Sequence, residues 1–279
     1  MNRTDPDELL ERLKRGGVWS KKRLGQHFLV DPGVLDAIID VSALDAQSVV
    51  LEIGPGLGVL SERLLAITKN VIACELDTDM VRILAMDIPQ LTVVQGDVLD
   101  TARDVVLGLP DRPYKVVANI PYQITSPLLR LFLEGKVGRQ PESMTLLVQK
   151  EVGKRLSARE SQPDRSYLSV LAQYCSQISY VRDVPAESFW PAPRVDSAVI
   201  HMKVLAERAL PSGQEKLFLR FVRTLFTQQR KQLKNVIAGI RGVGTSEVGA
   251  YLVAQGLPEN VRSQQLSLEQ WLNLYKNQF

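Results

Sequence analysis

The sequence predicts an α/β protein: a mostly parallel, doubly wound, seven-stranded sheet with helices on both faces, followed by a small all-helical C-terminal domain. Three observations carry this reading. Short runs rich in Val, Ile and Leu alternate with segments of helical periodicity from residue 48 to residue 150, the pattern of βαβ units. The first run ends in a glycine turn, Gly54-Pro55-Gly56-Leu57-Gly58, that opens into a helix, the first half of a Rossmann-like unit. Beyond Val204 the strand signals stop and apolar residues recur at helical spacing.

With 279 residues the chain has room for one large domain and one small one. The expected organisation is an N-terminal extension over 1–20, the sheet domain over 21–204, a linker with Pro211 and Gly213 over 205–214, and a helical domain over 215–279. A net charge of +3 admits a nucleic-acid partner without requiring one. Two Cys and two His, far apart, make neither a disulfide framework nor a metal site. The stretch from Met1 to Glu11 is polar and partly acidic, unlike a signal or transit peptide, and no apolar run approaches the length of a membrane span. A cytoplasmic protein is the expectation.

Taken in order, residues 1–20 read as unstructured or helical. Lys21-Lys22-Arg23 then makes either a solvated surface or a phosphate contact. Next comes Gly25-Gln26-His27-Phe28-Leu29, where a single His with no partner gives no general-base argument. Asp31-Pro32 reads as an N-cap with proline at the first helical position. Ser48 to Ile53 is a buried strand, and its glycine turn lets the backbone approach a ligand at a helix N-terminus. A dinucleotide fingerprint wants a third glycine where Val59 stands. Val71 to Cys74 ends in Glu75-Leu76-Asp77, and Leu91 to Gln95 closes on Gly96-Asp97. An acid at each successive strand tip suits a nucleoside-type cofactor: Glu75 for ribose hydroxyls and Asp97 for an adenine amino group. A helix N-cap is the plainer role, and it suits Asp77 better than Glu75.

The fourth strand, Val116-Val117-Ala118, stops at Asn119-Ile120-Pro121-Tyr122. This is either an ordinary proline turn or a holder for a flat base. In the second case Asn119 supplies a side-chain carbonyl, Ile120 a backbone carbonyl that Pro121 helps aim, and Tyr122 a stacking face. Met144 to Lys150 reads as a fifth strand, and Ile178 to Val184 and Ala198 to Val204 as two more. Between the last two lies the stiff loop Phe189-Trp190-Pro191-Ala192-Pro193. Its aromatics either plug the domain, the reading preferred for Trp190, or present a ring to a ligand. From Leu217 to Ile240, Phe218, Phe221, Val222, Leu225, Leu233 and Val236 fall on one helical face, at ~100° per residue. Arg220, Arg223, Thr227, Arg230, Lys231 and Lys234 fall on the other with no acid among them, which favours RNA over a plain solvated face.

Together, and in this order, these motifs resemble one family: the S-adenosylmethionine-dependent dimethyltransferases that act on adenines of small-subunit ribosomal RNA. The resemblance runs from about Lys21 to the C-terminus. It rests on Gly25-Gln26-His27-Phe28-Leu29, Glu52 to Gly58, Glu75-Leu76-Asp77, Gly96-Asp97, Asn119 to Tyr122, Leu168 to Tyr174, Phe189 to Ser197 and Leu225 to Lys231. It implies a Rossmann-like methyltransferase domain with S-adenosyl-L-methionine lying across Gly54, Gly56 and Gly58. Glu75 then holds the ribose, Asp97 the adenine ring and Asn119 the methionine end, while His27 and Leu29 close the pocket. The target adenine sits between Tyr122 and Phe189, its amino group bonded to Asn119 and to the Ile120 carbonyl. The implied substrate is a pair of adjacent adenines in the loop of the 3′-terminal hairpin of 16S rRNA, converted to N6,N6-dimethyladenosine during small-subunit biogenesis. Lys21, Lys22, Arg23 and the helical basic stripe are the candidate RNA contacts. The implied partner is small-subunit rRNA or an immature small subunit, and a monomer is expected.

One position departs from the pattern. The family usually carries leucine after the asparagine, and Ile120 is more typical of the related antibiotic-resistance enzymes that methylate large-subunit rRNA. The Gly25-Gln26-His27 and Gln228-Gln229-Arg230-Lys231 segments keep the small-subunit reading ahead. An RNA-binding assembly factor without turnover is a further alternative. A nicotinamide-dependent oxidoreductase is disfavoured by Val59 and by the Asn119 to Tyr122 turn.

Overall fold

Asp5 opens the first described element: its carboxylate accepts the backbone N–H of Asp7 and Pro6 occupies the first turn, giving helix α1 (Pro6–Arg15). The computed structural model describes residues 4–18, 26–211 and 213–277, so Lys21, Lys22 and Arg23 lie outside the described residues. Leu9 and Leu13 of α1 are buried, and the nearly buried Arg12 guanidinium meets Asp87 at 2.6 Å. The two-residue strand β1 (Phe28–Leu29) follows. Asp31 then caps α2 (Pro32–Ser42) by accepting the N–H groups of Gly33 and Val34, as the Asp-Pro signal requires.

Five strand–helix units come next: β2 (Val49–Ile53) and α3 (Val59–Leu65), β3 (Val71–Glu75) and α4 (Thr78–Asp87), β4 (Thr92–Gln95) and α5 (Val98–Gly108), β5 (Tyr114–Asn119) and α6 (Thr125–Leu133), then β6 (Ser143–Gln149) and α7 (Lys150–Ser157). The chain continues with α8 (Tyr167–Cys175), β7 (Ser176–Val184), β8 (Phe189–Trp190), β9 (Ser197–Val204), α9 (Gln214–Phe226), α10 (Leu233–Arg241), α11 (Thr245–Ala254) and α12 (Leu268–Lys276). The large sheet has seven strands in the order β4-β3-β2-β5-β6-β9-β7. From β4 to β6 every pairing is parallel, and β9 runs antiparallel between β6 and β7. β2 is buried at all five positions, as its unbroken apolar run implies for a strand covered on both faces. After β2 the chain winds outward through β3 and β4, then returns to lay β5 on the other side of β2. That reversal opens a crevice at the carboxyl ends of β2 and β5, where open α/β sheets bind ligands.

The described residues divide into two compact units. One holds those up to Gly153 with Ser176–Ala206; the other holds Lys154–Cys175 with those from Glu207 on. The sequence pattern assigns α8 to the sheet domain, because helical periodicity reports a buried face but not what covers it. Its Tyr174 ring instead packs on Phe218 of α9 with centroids 4.9 Å apart. A second difference concerns the basic stripe. The single helical face expected from Leu217 to Ile240 is two helices, broken over residues 227–232. That segment, Thr227 to Gln232, has no apolar side chain to bury, and the Thr227 hydroxyl donates back to the Thr224 carbonyl at 2.7 Å. No helix among the described residues is long and apolar enough to cross a membrane.

Candidate active site

A cavity of about 200 Å³ opens at the carboxyl ends of β2 to β5. Gly54, Gly56, Glu75, Asp97 and the whole Asn119 to Tyr122 turn line it, with His27, Phe28 and Leu29 on the opposite wall. Gly56 has φ +55°, and a Cβ there would lie 3.2 Å from the Phe28 ring. The backbone thus comes close to the wall because nothing projects from it. Gly58 does something else: it does not line the cavity. A Cβ on it would lie 2.4 Å from Ile88 and 2.8 Å from Leu84, so this glycine lets α4 pack against the turn. The structure thus sets Gly58, expected among the cofactor contacts, in helix packing and off the cavity wall. A glycine that permits close helix packing therefore stands one residue before Val59.

Glu75 is 7% exposed, and its carboxylate accepts the N–H of Gly56 at 3.1 Å and of Asp77 at 2.8 Å. It therefore pins the glycine turn to the tip of β3. Burial raises its carboxyl above the usual range, against the lowering effect of those N–H groups. Two of a carboxylate's roughly four acceptor positions are used, which leaves capacity for ribose hydroxyls. Asp97 caps α5 through the Leu99 N–H, and Asp77 caps α4 through the Asp79 N–H. Gln26 donates to the other Asp77 oxygen at 3.2 Å, tying the segment before β1 to this rim. The lining thus offers carboxylates at two adjacent strand ends and a bare glycine backbone, a donor set that fits a nucleoside cofactor.

At the other end, the Asn119 amide nitrogen donates to the His27 carbonyl at 3.3 Å. This leaves the Asn119 side-chain oxygen to accept from a ligand. The Ile120 carbonyl accepts no hydrogen bond from the described residues, while its own N–H is spent on Leu147 at 3.2 Å. The Tyr122 hydroxyl lies 2.6 Å from Ser197 Oγ, a side chain with no exposed surface at the start of β9. Burial raises the Tyr122 phenol, and the Ser197 contact opposes that. His27 stacks beside Tyr122 at 6.2 Å with 22° between rings. Its Nδ1 lies 2.6 Å from the Pro191 carbonyl and so carries the proton. The partner that sequence reasoning did not find for His27 is a backbone oxygen 164 residues away.

Phe189, expected as the second stacking ring, is placed differently from Tyr122. It is 3% exposed, belongs to the hydrophobic core, and does not line the cavity. β8 pairs antiparallel with β1, setting Phe189 opposite the buried Leu29. Directly opposed residues share a face, so the Phe189 ring lies beside Leu29, which belongs to the same core and also lines the cavity. Of the two loop aromatics, the plug is Phe189, and Trp190 is the partly exposed one. Two residues that the sequence motifs include but that were given no role support the site. Ser197 anchors Tyr122. Glu52, buried beneath the glycine turn, accepts the Ser61 hydroxyl at 2.6 Å and so joins β2 to α3. An acid inside an otherwise apolar strand was the available signal for Glu52; Ser197 closes the Phe189 to Ser197 motif, but spacing does not reveal its contact with Tyr122.

In the helical unit, Arg220, Arg223, Arg230 and Lys231 are exposed. Lys234 differs: its side chain is 21% exposed and its ammonium meets Glu259 at 2.5 Å. An acid 25 residues away in sequence neutralises it, which spacing along one helix cannot reveal.

The profile of the family described as "Ribosomal RNA adenine dimethylase" matches residues 18–278. Ribosomal RNA small subunit methyltransferase A of Desulfitobacterium hafniense is 40% identical over 272 residues, spanning 93% of this chain and 92% of that one. A crystal structure of a dimethyladenosine transferase from Plasmodium falciparum superposes with a TM-score of 0.71 at 25% identity, covering 89% of this chain and 96% of the other. The 23S rRNA methyltransferase ErmE gives 0.69 at 26% identity, covering 89% and 98%. A seven-stranded sheet with its crevice at the β2–β5 switch, acids at the β3 and β4 tips, and a match over nearly the whole chain place this protein in the ribosomal RNA adenine dimethylase family.

Proposed function

We propose that this enzyme methylates the N6 amines of two adjacent adenines in the 3′-terminal hairpin loop of small-subunit rRNA, giving N6,N6-dimethyladenosine during subunit biogenesis. The observation that carries this reading is the Asn119 to Tyr122 turn, which opens on the same cavity as the glycine turn, Glu75 and Asp97. S-adenosylmethionine, when bound, supplies a methyl group already made electrophilic by its sulfonium. The cavity's own residues fit it: Gly54 and Gly56 along its length, Glu75 at the ribose, Asp97 at the adenine ring and Asn119 at the methionine end.

The chain's own task is then alignment. Tyr122, held by Ser197, gives the extruded adenine a fixed face, and base–aromatic stacking contributes roughly 1–3 kcal/mol. The Asn119 oxygen and the Ile120 carbonyl accept the two amine hydrogens, turning the nitrogen lone pair toward the cofactor end of the cavity. As that nitrogen gains positive charge, the same two oxygens stabilise it without rearranging. The proton lost is on a strongly acidic ammonium and passes to water, so no strong base is needed. His27 shapes the wall through its Pro191 bond.

Methyl transfer from labelled cofactor to small subunits lacking the modification, beside large-subunit rRNA, tests the proposal. Dimethyladenosine confined to small-subunit rRNA is expected. Label in the large-subunit RNA would replace it with the reading suggested by Ile120 and by the likeness to ErmE. Asn119→Ala should retain cofactor binding by calorimetry and lose turnover by on the order of 10²-fold, the usual effect of removing one preorganised hydrogen-bonding group at a charge-developing centre.

A further inference from the structure

The helical unit contains a second cavity, of about 420 Å³, which the proposed chemistry does not use. It lies among α9, α10, α11 and α12 and is within the size range of ligand pockets, ~300–1,000 Å³. Its walls combine apolar and aromatic side chains, including Phe221, Tyr251 and Tyr275, with two arginines, Arg220 and Arg241. No carboxylate lines it. Both arginines are exposed, and neither has an ion-pair partner among the described residues. Ile240, beside Arg241, is half exposed although it is a large apolar side chain.

An apolar peptide would be served by the aromatic walls alone, whereas two uncompensated guanidinium groups beside aromatic rings match a nucleotide. The rings give a face for a base, and the arginines a fork for phosphate. The aromatic walls are also braced: Phe221 sits 5.8 Å from Tyr275 and 6.3 Å from Trp271, and the Tyr251 hydroxyl donates to the Asn277 carbonyl. A braced ring is ready to stack without first being ordered.

We infer that this groove holds an unstacked nucleotide of single-stranded RNA, its base against Phe221 and Tyr251 and its phosphate on Arg220 and Arg241. The inference rests on the proposed rRNA substrate and adds a second base-holding site on the helical unit. The groove would read a looped-out nucleotide while the cavity of the sheet unit takes the target adenine.

The test uses the full-length protein and its Arg220→Gln/Arg241→Gln variant, which removes exposed charge and leaves the core intact. Binding of a fluorescent ten-nucleotide oligouridylate is followed against salt, and zero-length ultraviolet crosslinks to unmodified small subunits are mapped by mass spectrometry. The variant should flatten the log–log salt slope by about 0.7, the value for one single-strand phosphate no longer neutralised. Wild-type crosslinks should fall on peptides carrying Phe221 or Tyr251. An unchanged slope, crosslinks only outside the groove, or a ribosomal protein crosslinked to it would each overturn the inference. Methyl transfer by the wild-type protein is read in parallel. If it occurs while slope and crosslinks fail, the groove is wrong and the function stands. If it fails while the groove crosslinks RNA, the function is wrong.

Discussion

At the scale of single residues, Glu52 ties the glycine turn to measurable thermodynamics. It has no exposed surface to speak of, and desolvation pushes its carboxyl up to about 8, helped by the charge of Glu75 and opposed by the Ser61 hydroxyl. The folded chain therefore keeps a proton that the unfolded chain releases near 4.5. Between those values the native state binds more protons, so stability is full at the acid end and declines as pH rises toward 8. Glu75, also raised by burial, acts in the same direction. Glu52→Gln should flatten the decline between pH 5 and pH 8 by at most roughly 4 kcal/mol, at ~1.4 kcal/mol per pKa unit. Urea unfolding at three pH values checks it, and a variant as pH-sensitive as the parent would show that the carboxyl ionises freely. At this scale the sequence was informative about backbone-adjacent groups. Asn119, Glu75 and Asp97 stand at strand ends, where a short motif sets position. The burial of Phe189 was not legible because β8 pairs with a strand 160 residues earlier, and only that pairing decides which neighbours its ring takes.

Among elements, the packing of the glycine turn on α4 illustrates how close approach limits substitution. Gly58 combines φ +77° with a Cβ direction already filled by Ile88 and Leu84. Gly58→Ala should cost about 2–4 kcal/mol, from left-handed backbone strain together with overpacking. Gly108, the last residue of α5, has ordinary φ, and a Cβ on it would meet nothing within 4 Å, so Gly108→Ala should be neutral or stabilising by up to ~1 kcal/mol. Thermal melts of the two variants give the comparison. The strand–helix alternation itself was legible, since each βα unit is a local pattern of apolar period and cap. The break between α9 and α10 was hidden because the polar residues of 227–232 happen to continue the spacing of the stripe.

For the whole molecule, 34 basic residues nearly balance 31 acidic ones, so net charge says little about RNA. Placement says more. Arg223, Arg230 and Lys231 are exposed, whereas Lys234 already has Glu259. Reversing any of the first three to Glu should weaken binding to small subunits and reduce the salt slope by about 0.7–0.9 for each phosphate no longer neutralised. Lys234→Gln should leave the slope unchanged. Filter binding across a series of salt concentrations distinguishes these, and equal behaviour of all four would mean that pairing with Glu259 does not matter. The strand order was foreseeable as a class, but the allegiance of α8 was not, because it depends on α9, far along the chain.

That allegiance has a consequence for how the protein can be taken apart. The backbone crosses between the two units three times, at residues 153/154, 175/176 and 206/207. A stop codon at position 207 would not release a clean catalytic domain: it would leave α8 behind with the buried Tyr174 ring stripped of its Phe218 neighbour on α9. A protease cut at the same place would yield two fragments that hold together, since α8 on one interlocks with α9 on the other. Exchange of the helical unit between relatives would have to carry residues 154–175 along with the tail.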